Sequence, residues 1–189
     1  MRSVAGFRAD QPGLTNLVWG VTTLGSAYAT LGATSLASLW LLLRRSPAQV
    51  LLLALTVLIE RALVDACKDW LGRPRPQFEL DWLSHSLAFP SGHAANSMTA
   101  YLATALILAP PAHRRPWAIG ALILSLVIGL SRSYLGVHWP SDVIGGWALG
   151  LLAVGAALLV GARSGALSFE PQHQIVGRHR LPLGEDEAA

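Results

Sequence analysis

The chain has 189 residues, of which 52% are apolar and only 13% are charged. A soluble domain of this length needs more polar surface, so the sequence predicts one domain that folds in a lipid bilayer. The formal net charge of +3 is small, and the absence of a long basic run argues against a nucleic-acid partner. With Cys67 as the only cysteine, an intrachain disulfide is excluded.

Five apolar segments follow one another along the chain, each near the roughly 20 residues that a spanning helix requires. Segments of this kind are expected to be helical, because lipid cannot satisfy open backbone groups. Turn-forming residues such as Pro110-Pro111 separate them. The predicted fold is therefore an all-α integral membrane bundle of about five transmembrane helices, with approximate ranges 15–43, 48–71, 91–109, 116–134 and 140–162.

The chain divides into a membrane-embedded domain, residues 1–163, and a tail, residues 164–189. The tail loses the apolar character and is predicted to be mobile and cytoplasmic. In the fifth segment Gly146 and Gly150 form a small-residue stripe that lets helices approach closely. Close packing inside one bundle is the favoured interpretation of this stripe, and a homodimer interface is the alternative.

Arginines occupy alternate connections of the predicted bundle. They occur at residues 44–45, at 114–115 and between Arg163 and Arg180. Since basic residues favour the cytoplasmic side, this pattern predicts that these connections face the cytoplasm. The opposite ends of the helices then face the periplasm or the exterior of a bacterial inner (cell) membrane.

Three polar patches fall on this predicted outer side. They contain Lys68 and Arg75 at the end of the second segment, Pro90-Ser91-Gly92-His93 at the start of the third, and Arg132 near the end of the fourth. Three cations without an equal set of acids favour an anionic ligand. Helix starts offer free N–H groups to an anion, and Gly92 lets the backbone approach it. A tetrahedral oxyanion such as phosphate fits this arrangement.

Two histidines supply candidates for the chemistry of phosphoryl transfer. His138 and Asp142 are four residues apart, so the carboxylate can accept the imidazole N–H and leave the other ring nitrogen nucleophilic. His93 lies on a different segment and can act as a general acid. Phosphoryl transfer needs a nucleophile, a protonated leaving group and charge stabilisation, and the sequence provides a candidate for each.

The three patches also match a known signature. Lys-x6-Arg-Pro begins at Lys68, Pro-Ser-Gly-His begins at Pro90, and Ser-Arg-x5-His-x3-Asp runs from Ser131 to Asp142. All three motifs are complete and in order, so the chain resembles the type 2 phosphatidic acid phosphatase superfamily. The resemblance implies a metal-independent lipid phosphatase, without a cofactor, that works through a phosphohistidine.

The resemblance also assigns roles to residues that match the motifs. It implies that His138 is the nucleophile, that Asp142 is its partner and that His93 protonates the leaving group. The resemblance further implies that the substrate phosphate is held by Lys68, Arg75, Ser91, Gly92 and Arg132. Undecaprenyl diphosphate is the substrate it favours; phosphatidic acid, phosphatidylglycerophosphate and lipid A phosphates are alternatives, as is phosphotransfer to another lipid.

The remaining polar residues allow further interpretations. A zinc site at the two histidines and Asp142 is disfavoured, because three neighbouring cations would repel a metal ion. Arg73 is interpreted mainly as an interface anchor. Arg61 and Asp65 are four residues apart and could pair within their helix, with support of the site by Asp65 as the alternative. His85 is expected to lie in an exposed loop, and residues 77–89 are expected to contact the lipid chain of the substrate.

Overall fold

The computed structural model describes residue 8, residues 10–76 and residues 86–167. Within these stretches the chain is helical and contains no strand. A short 3-10 helix, Pro111–His113, precedes α5. The α-helices are α1 (Pro12–Thr23), α2 (Ala27–Leu43), α3 (Pro47–Leu71), α4 (Gly92–Leu108), α5 (Arg114–Tyr134) and α6 (Pro140–Arg163).

Helix α4 lies at the centre of the bundle and packs against α2, α3, α5 and α6. Eleven of its 17 residues are buried, and many of them are alanine or serine. Such small side chains let the surrounding helices approach closely. The outer helices present leucines such as Leu43 and Leu152 on the surface, as expected for a protein whose solvent is lipid.

The first predicted segment, 15–43, is interrupted rather than continuous. Helices α1 and α2 meet at an angle of 46°. A side chain at Gly25 would approach Ile128 Cγ2 to 2.4 Å, so the break packs tightly against α5. Ser26 accepts a hydrogen bond from the Ala29 N–H and starts α2, and the Tyr101 hydroxyl donates to the Leu24 carbonyl. The prediction of one segment over 15–43 missed this break, which falls at the Gly25-Ser26 pair, and such pairs are common sites of helix kinks.

Two helical stretches in the described part of the chain are long and apolar enough to cross a membrane. They are Pro111–Tyr134 and Pro140–Arg163, and the bent pair of α1 and α2 makes a third if it counts as one span. Helix α3 carries five charged residues between Glu60 and Asp69, and α4 has only 17 residues. The number of five spans therefore stays a prediction.

The glycine stripe of α6 packs inside the bundle. A side chain at Gly146 would lie 2.6 Å from the Ser91 carbonyl oxygen, and one at Gly150 would lie 2.7 Å from Met98 Cβ. Both positions therefore contact α4, in agreement with the intramolecular interpretation of the stripe. Most of the predicted tail, residues 168–189, and most of the predicted lipid-contacting loop, residues 77–85 with His85, lie outside the described residues.

Candidate active site

The end of α3 places two basic side chains at the site. Lys68 lies in the last turn, and Gly72 ends the helix with a left-handed φ of 56°. The backbone then runs through residues 72–76 without regular structure, and Arg75 donates hydrogen bonds to the carbonyls of Ser86 (3.1 Å) and Val137 (2.9 Å). The same guanidinium lies 3.0 Å from His138 Nε2. The loop after α3 therefore places the Arg75 guanidinium at the α5–α6 junction.

The start of α4 approaches the same point from the centre of the bundle. Ser91 is completely buried, and its N–H donates to the Asp142 carbonyl at 2.9 Å, which joins the first turns of α4 and α6. Its Oγ has no hydrogen-bond partner within the described stretches. A side chain at Gly92 would stand 3.5 Å from Lys68 Nζ, so glycine keeps the backbone there open.

His138 and Asp142 face each other at the start of α6. The His138 Nδ1 lies 3.5 Å from Asp142 Oδ2, and both residues are buried. The same Oδ2 accepts the Trp139 N–H at 2.8 Å, so the carboxylate also caps the helix. The 3.5 Å separation exceeds a normal hydrogen-bond length, and the imidazole and carboxylate are adjacent without being tightly bonded.

Arg73 is bound to this pair, which the sequence interpretation of an interface anchor did not foresee. Its Nη1 lies 2.7 Å from Asp142 Oδ1 and 2.8 Å from Ser141 Oγ, and its guanidinium lies 5.8 Å from the centre of the Trp139 ring. A sequence signal does exist, because prolines favour extended backbone, in which positions two apart share one side. Arg73 and Arg75 are such a pair.

Arg132 extends the site toward α1. Its side chain is buried, and Nη1 donates a hydrogen bond to Thr22 Oγ1 at 3.1 Å. The Arg132 Nε has no partner within the described stretches. The contact with Thr22 depends on the break after α1, so the motif pattern alone could not reveal it.

These elements enclose a cavity of about 370 Å³. Ser91 and Asp142 are completely buried and do not line it. The break between α1 and α2 also contributes to the wall, through Thr22, Thr23, Ser26 and Ala27. The sequence-predicted residues that line the cavity are Lys68, Arg75, Gly92, His93, Arg132 and His138.

The protonation of His138 follows from its surroundings. Burial, together with the charges of Arg75 and Arg132, lowers the pKa of His138 to about 2, so the ring is neutral at neutral pH. Because a guanidinium can only donate, the 3.0 Å contact with Arg75 requires a lone pair on Nε2. The ring proton then lies on Nδ1, on the side of Asp142. This is the tautomer that a nucleophilic Nε2 requires.

The possible pair of Arg61 and Asp65 is not formed. Asp65 lies 3.8 Å from Lys68 Nζ instead, so the carboxylate turns toward the next turn of α3. Both Arg61 and Asp65 line the cavity. Of the two possibilities for Asp65, the pair with Arg61 is therefore absent, whereas Asp65 does contact Lys68 of the predicted phosphate site.

Sequence comparison matches residues 49–165 to the PAP2 superfamily, over a range that contains all three polar patches. The chain belongs to the PAP2 superfamily. The match confirms the family that the three complete motifs indicated. The helical fold is also similar to that of solved PAP2 structures.

Among the relatives of this PAP2 chain is phosphatidylglycerophosphatase B of Bacillus subtilis, with 33% identity over 155 residues, 79% of this chain and 76% of the relative. An undecaprenyl-diphosphatase of Sulfolobus acidocaldarius is 40% identical over 75 residues, 40% of this chain and 34% of the relative. The crystal structure of a transmembrane PAP2-type phosphatidylglycerolphosphate phosphatase from Bacillus subtilis is similar, with a TM-score of 0.75 and 32% identity. That match covers 81% of this chain and 79% of the solved chain.

These relatives are phosphatases of lipid phosphates, and they act on different lipids. The PAP2 chain is accordingly an enzyme of the lipid phosphatase class, and its relatives are integral to membranes. Its individual lipid substrate does not follow from family membership.

Proposed function

We propose that the chain removes the terminal phosphoryl group of undecaprenyl diphosphate through a phosphohistidine on His138. The observation that carries this proposal is the contact between Arg75 Nη1 and His138 Nε2 at 3.0 Å. The contact requires a lone pair on Nε2, and His138 lines a cavity together with Lys68, Arg75 and Arg132. Before the attack, the Arg75 N–H has to move from this lone pair to a phosphate oxygen. A nucleophile beside three cations suits attack on a phosphorus atom that carries negative oxygens.

In the first step, the His138 Nε2 lone pair forms a bond to phosphorus while the bond from phosphorus to the leaving oxygen breaks. The imidazole becomes positively charged, and the buried Asp142 stabilises it across the Nδ1–H. His93 lines the same cavity and donates a proton to a leaving oxygen that needs one. The residues proposed to hold the equatorial oxygens are Lys68, Arg75, Arg132 and the Gly92 backbone, all of which line the cavity. Ser91, which the family motif also assigns to the phosphate, is buried behind the cavity wall with a hydroxyl that has no partner in the described stretches, so its contact with the phosphate requires a movement at the start of α4.

In the second step, water attacks the phosphohistidine. The N–P bond breaks, the electron pair returns to Nε2, and His93 in its neutral form accepts a proton from the water. The free phosphate then leaves the cavity. None of these steps calls for a metal ion, because cationic side chains and the two helix starts at Ser91 and Trp139 neutralise the phosphate.

The proposed place of the reaction is the outer leaflet of a bacterial inner membrane. This rests on the arginines at 44–45 and 114–115, which lie at the ends of the helices opposite the cavity. Arg178 and Arg180, which support the same orientation, lie outside the described residues. The proposed role is the dephosphorylation of an exported lipid carrier, by a monomer or a homodimer.

The test is phosphate release by the purified, detergent-solubilised protein from a panel of lipid phosphates. Undecaprenyl diphosphate should be hydrolysed with the highest kcat/KM, and His138→Ala should abolish release. The exposed, non-site variant Arg44→Gln should retain it. Denaturing the enzyme during turnover should trap an acid-labile, base-stable phosphoryl group that the His138→Ala protein lacks.

Phosphatidylglycerophosphate is the second candidate substrate. It is favoured by the relative that this chain matches over most of both lengths. Faster release from phosphatidylglycerophosphate than from undecaprenyl diphosphate would replace the first proposal with this one. Transfer of the phosphoryl group to an added lipid alcohol would instead reveal a phosphotransferase.

A further inference from the structure

Arg61 brings a fourth cationic side chain to the candidate active-site cavity. It lies on α3 two helical turns before Lys68, and both side chains line the same space. The Arg61 Nη1 is buried and has no hydrogen-bond partner among the described residues. An unpartnered guanidinium nitrogen costs free energy when it is buried, and ionisable groups in a spanning helix are commonly functional.

Neighbouring acids do not satisfy Arg61. Asp65, one turn away, lies against Lys68 at 3.8 Å. Glu60 is completely buried, and both of its carboxylate oxygens lack partners in the described part of the chain. Arg61 therefore lines the cavity with a guanidinium whose buried Nη1 is not bonded to a carboxylate of its own helix.

The charge balance of the cavity exceeds what one phosphate requires. Four cationic side chains line it, Lys68, Arg75, Arg132 and Arg61, against the single carboxylate of Asp65, an excess of three positive charges. Asp142 does not line the cavity, and its ion pair with Arg73 offsets part of its charge. A phosphate monoester carries about two negative charges at neutral pH, and a second phosphoryl group adds about one more.

The cavity also has room for more than one phosphoryl group. Its volume of about 370 Å³ equals that of roughly a dozen molecules of liquid water. The reacting group must lie at His138, at the α5–α6 junction, whereas Arg61 lies on α3 about two turns before Lys68. A ligand that contacts both residues therefore extends across the cavity.

We propose that Arg61 binds the second, non-transferred phosphoryl group of a lipid diphosphate and so selects diphosphates over monophosphates. The inference rests on the proposed function and specifies its substrate class. When His138 Nε2 bonds to the terminal phosphorus, the bond from that phosphorus to the bridging oxygen breaks. The electron pair stays on the inner phosphate, which leaves as a lipid monophosphate, and Arg61 stabilises this developing negative charge.

The experiment compares two substrates with the same chain, farnesyl diphosphate and farnesyl monophosphate. Replacing Arg61 by glutamine should lower kcat/KM for the diphosphate by about 10-fold or more, the usual scale for a lost charged hydrogen bond. Monophosphate hydrolysis should change by less than about 2-fold. Lys68→Gln should reduce both reactions alike, because Lys68 is assigned to the transferred group, and Arg44→Gln should reduce neither.

A binding measurement keeps the test independent of turnover. Inorganic diphosphate should raise the unfolding temperature of the native protein more than inorganic phosphate does. In Arg61→Gln that difference should disappear, while Arg61→Lys should keep part of it. Retained monophosphate hydrolysis shows that the glutamine variant is folded.

The outcomes separate the two proposals. Equal loss of both activities in Arg61→Gln, or an undiminished preference for diphosphate, would overturn the role of Arg61 and leave the phosphohistidine mechanism intact. Failure of the native protein to hydrolyse either farnesyl substrate, with phosphate released from phosphatidylglycerophosphate, would overturn the proposed prenyl substrate. A native protein that hydrolyses only the monophosphate would overturn the diphosphate specificity.

Discussion

Arg73 Nη1 lies 2.7 Å from Asp142 Oδ1, while the other oxygen of the same carboxylate faces His138 Nδ1 at 3.5 Å. The carboxylate is completely buried, and the arginine side chain is 37% exposed. Asp142 is thus shared between a permanent cation and the imidazole. Arg73 fixes the position of the carboxylate and offsets part of its charge, so it controls how strongly Asp142 acts on His138.

Replacing Arg73 by glutamine tests this control. Partners that orient a functional histidine in metal sites are worth roughly 10–100-fold, and we expect a loss of kcat in that range. Burial and neighbouring cations lower the pKa of His138. Without Arg73, the uncompensated Asp142 charge favours the imidazolium and raises that pKa. Because only neutral Nε2 can attack, the acid limb of kcat/KM should move to higher pH.

The control for this pH shift is Arg73→Lys, which retains the charge and should recover much of the native profile. A purely structural role would lower kcat in Arg73→Gln and leave the acid limb unmoved. The profiles of both variants, measured with one substrate, distinguish these cases.

The two histidines should respond differently to the leaving group. His138→Ala removes the proposed nucleophile and should abolish turnover of every substrate. His93→Ala should lose about 10²–10⁴-fold with a poor leaving group such as an alkoxide, the typical worth of general-acid catalysis. With a leaving group of low pKa, such as nitrophenolate, the His93→Ala loss should be small. An identical dependence on leaving-group pKa in both variants would contradict this division.

Metal chelation should leave the activity unchanged. Lys68, Arg75 and Arg132 already surround the cavity with positive charge, so excess EDTA should not reduce phosphate release. Vanadate should inhibit competitively, because it adopts a five-coordinate shape like the transition state. Activity lost in EDTA and restored by zinc or magnesium would contradict the assignment of the phosphate-binding residues.

Cysteine labelling tests the orientation in the membrane. After replacement of Cys67, a cysteine at Gln77, which lies outside the described residues, should react with an impermeant thiol reagent in intact cells with a permeabilised outer membrane. A cysteine at Ala112, in the connection before α5, should react only after the inner membrane is opened. The reverse pattern would place the chemistry in the cytoplasm.

The local elements of the site were predictable, whereas its long-range contacts were not. Pro90 with Ser91, and Pro140 with Ser141, carry the composition of helix starts, and helices begin at Gly92 and Pro140. The length of the apolar segments and the turn residues between them also located α3 and α5 to within a few residues. Helix starts and helix positions depend on residues that are adjacent in the sequence, so they can be predicted from it.

The break at Gly25 and the contact of Arg132 with Thr22 depend on packing between distant helices. The close approach at Gly25 involves Ile128 of α5 and His93 of α4, both of which are distant in the sequence. The absence of an Arg61–Asp65 pair has a local cause, because Lys68 offers Asp65 another partner on the same face of α3. The spacing along this helix allows both pairs and does not decide between them.

The hydrogen bond from the Ser91 N–H to the Asp142 carbonyl links the beginnings of two helices through main-chain atoms alone. Substitution of either side chain leaves donor and acceptor in place, with proline at position 91 the exception, because it lacks the N–H. Most side-chain substitutions at these two positions therefore leave intact the hydrogen bond that places the helix ends relative to each other. An evolving sequence can vary its catalytic side chains on this junction without first rebuilding the scaffold that carries them.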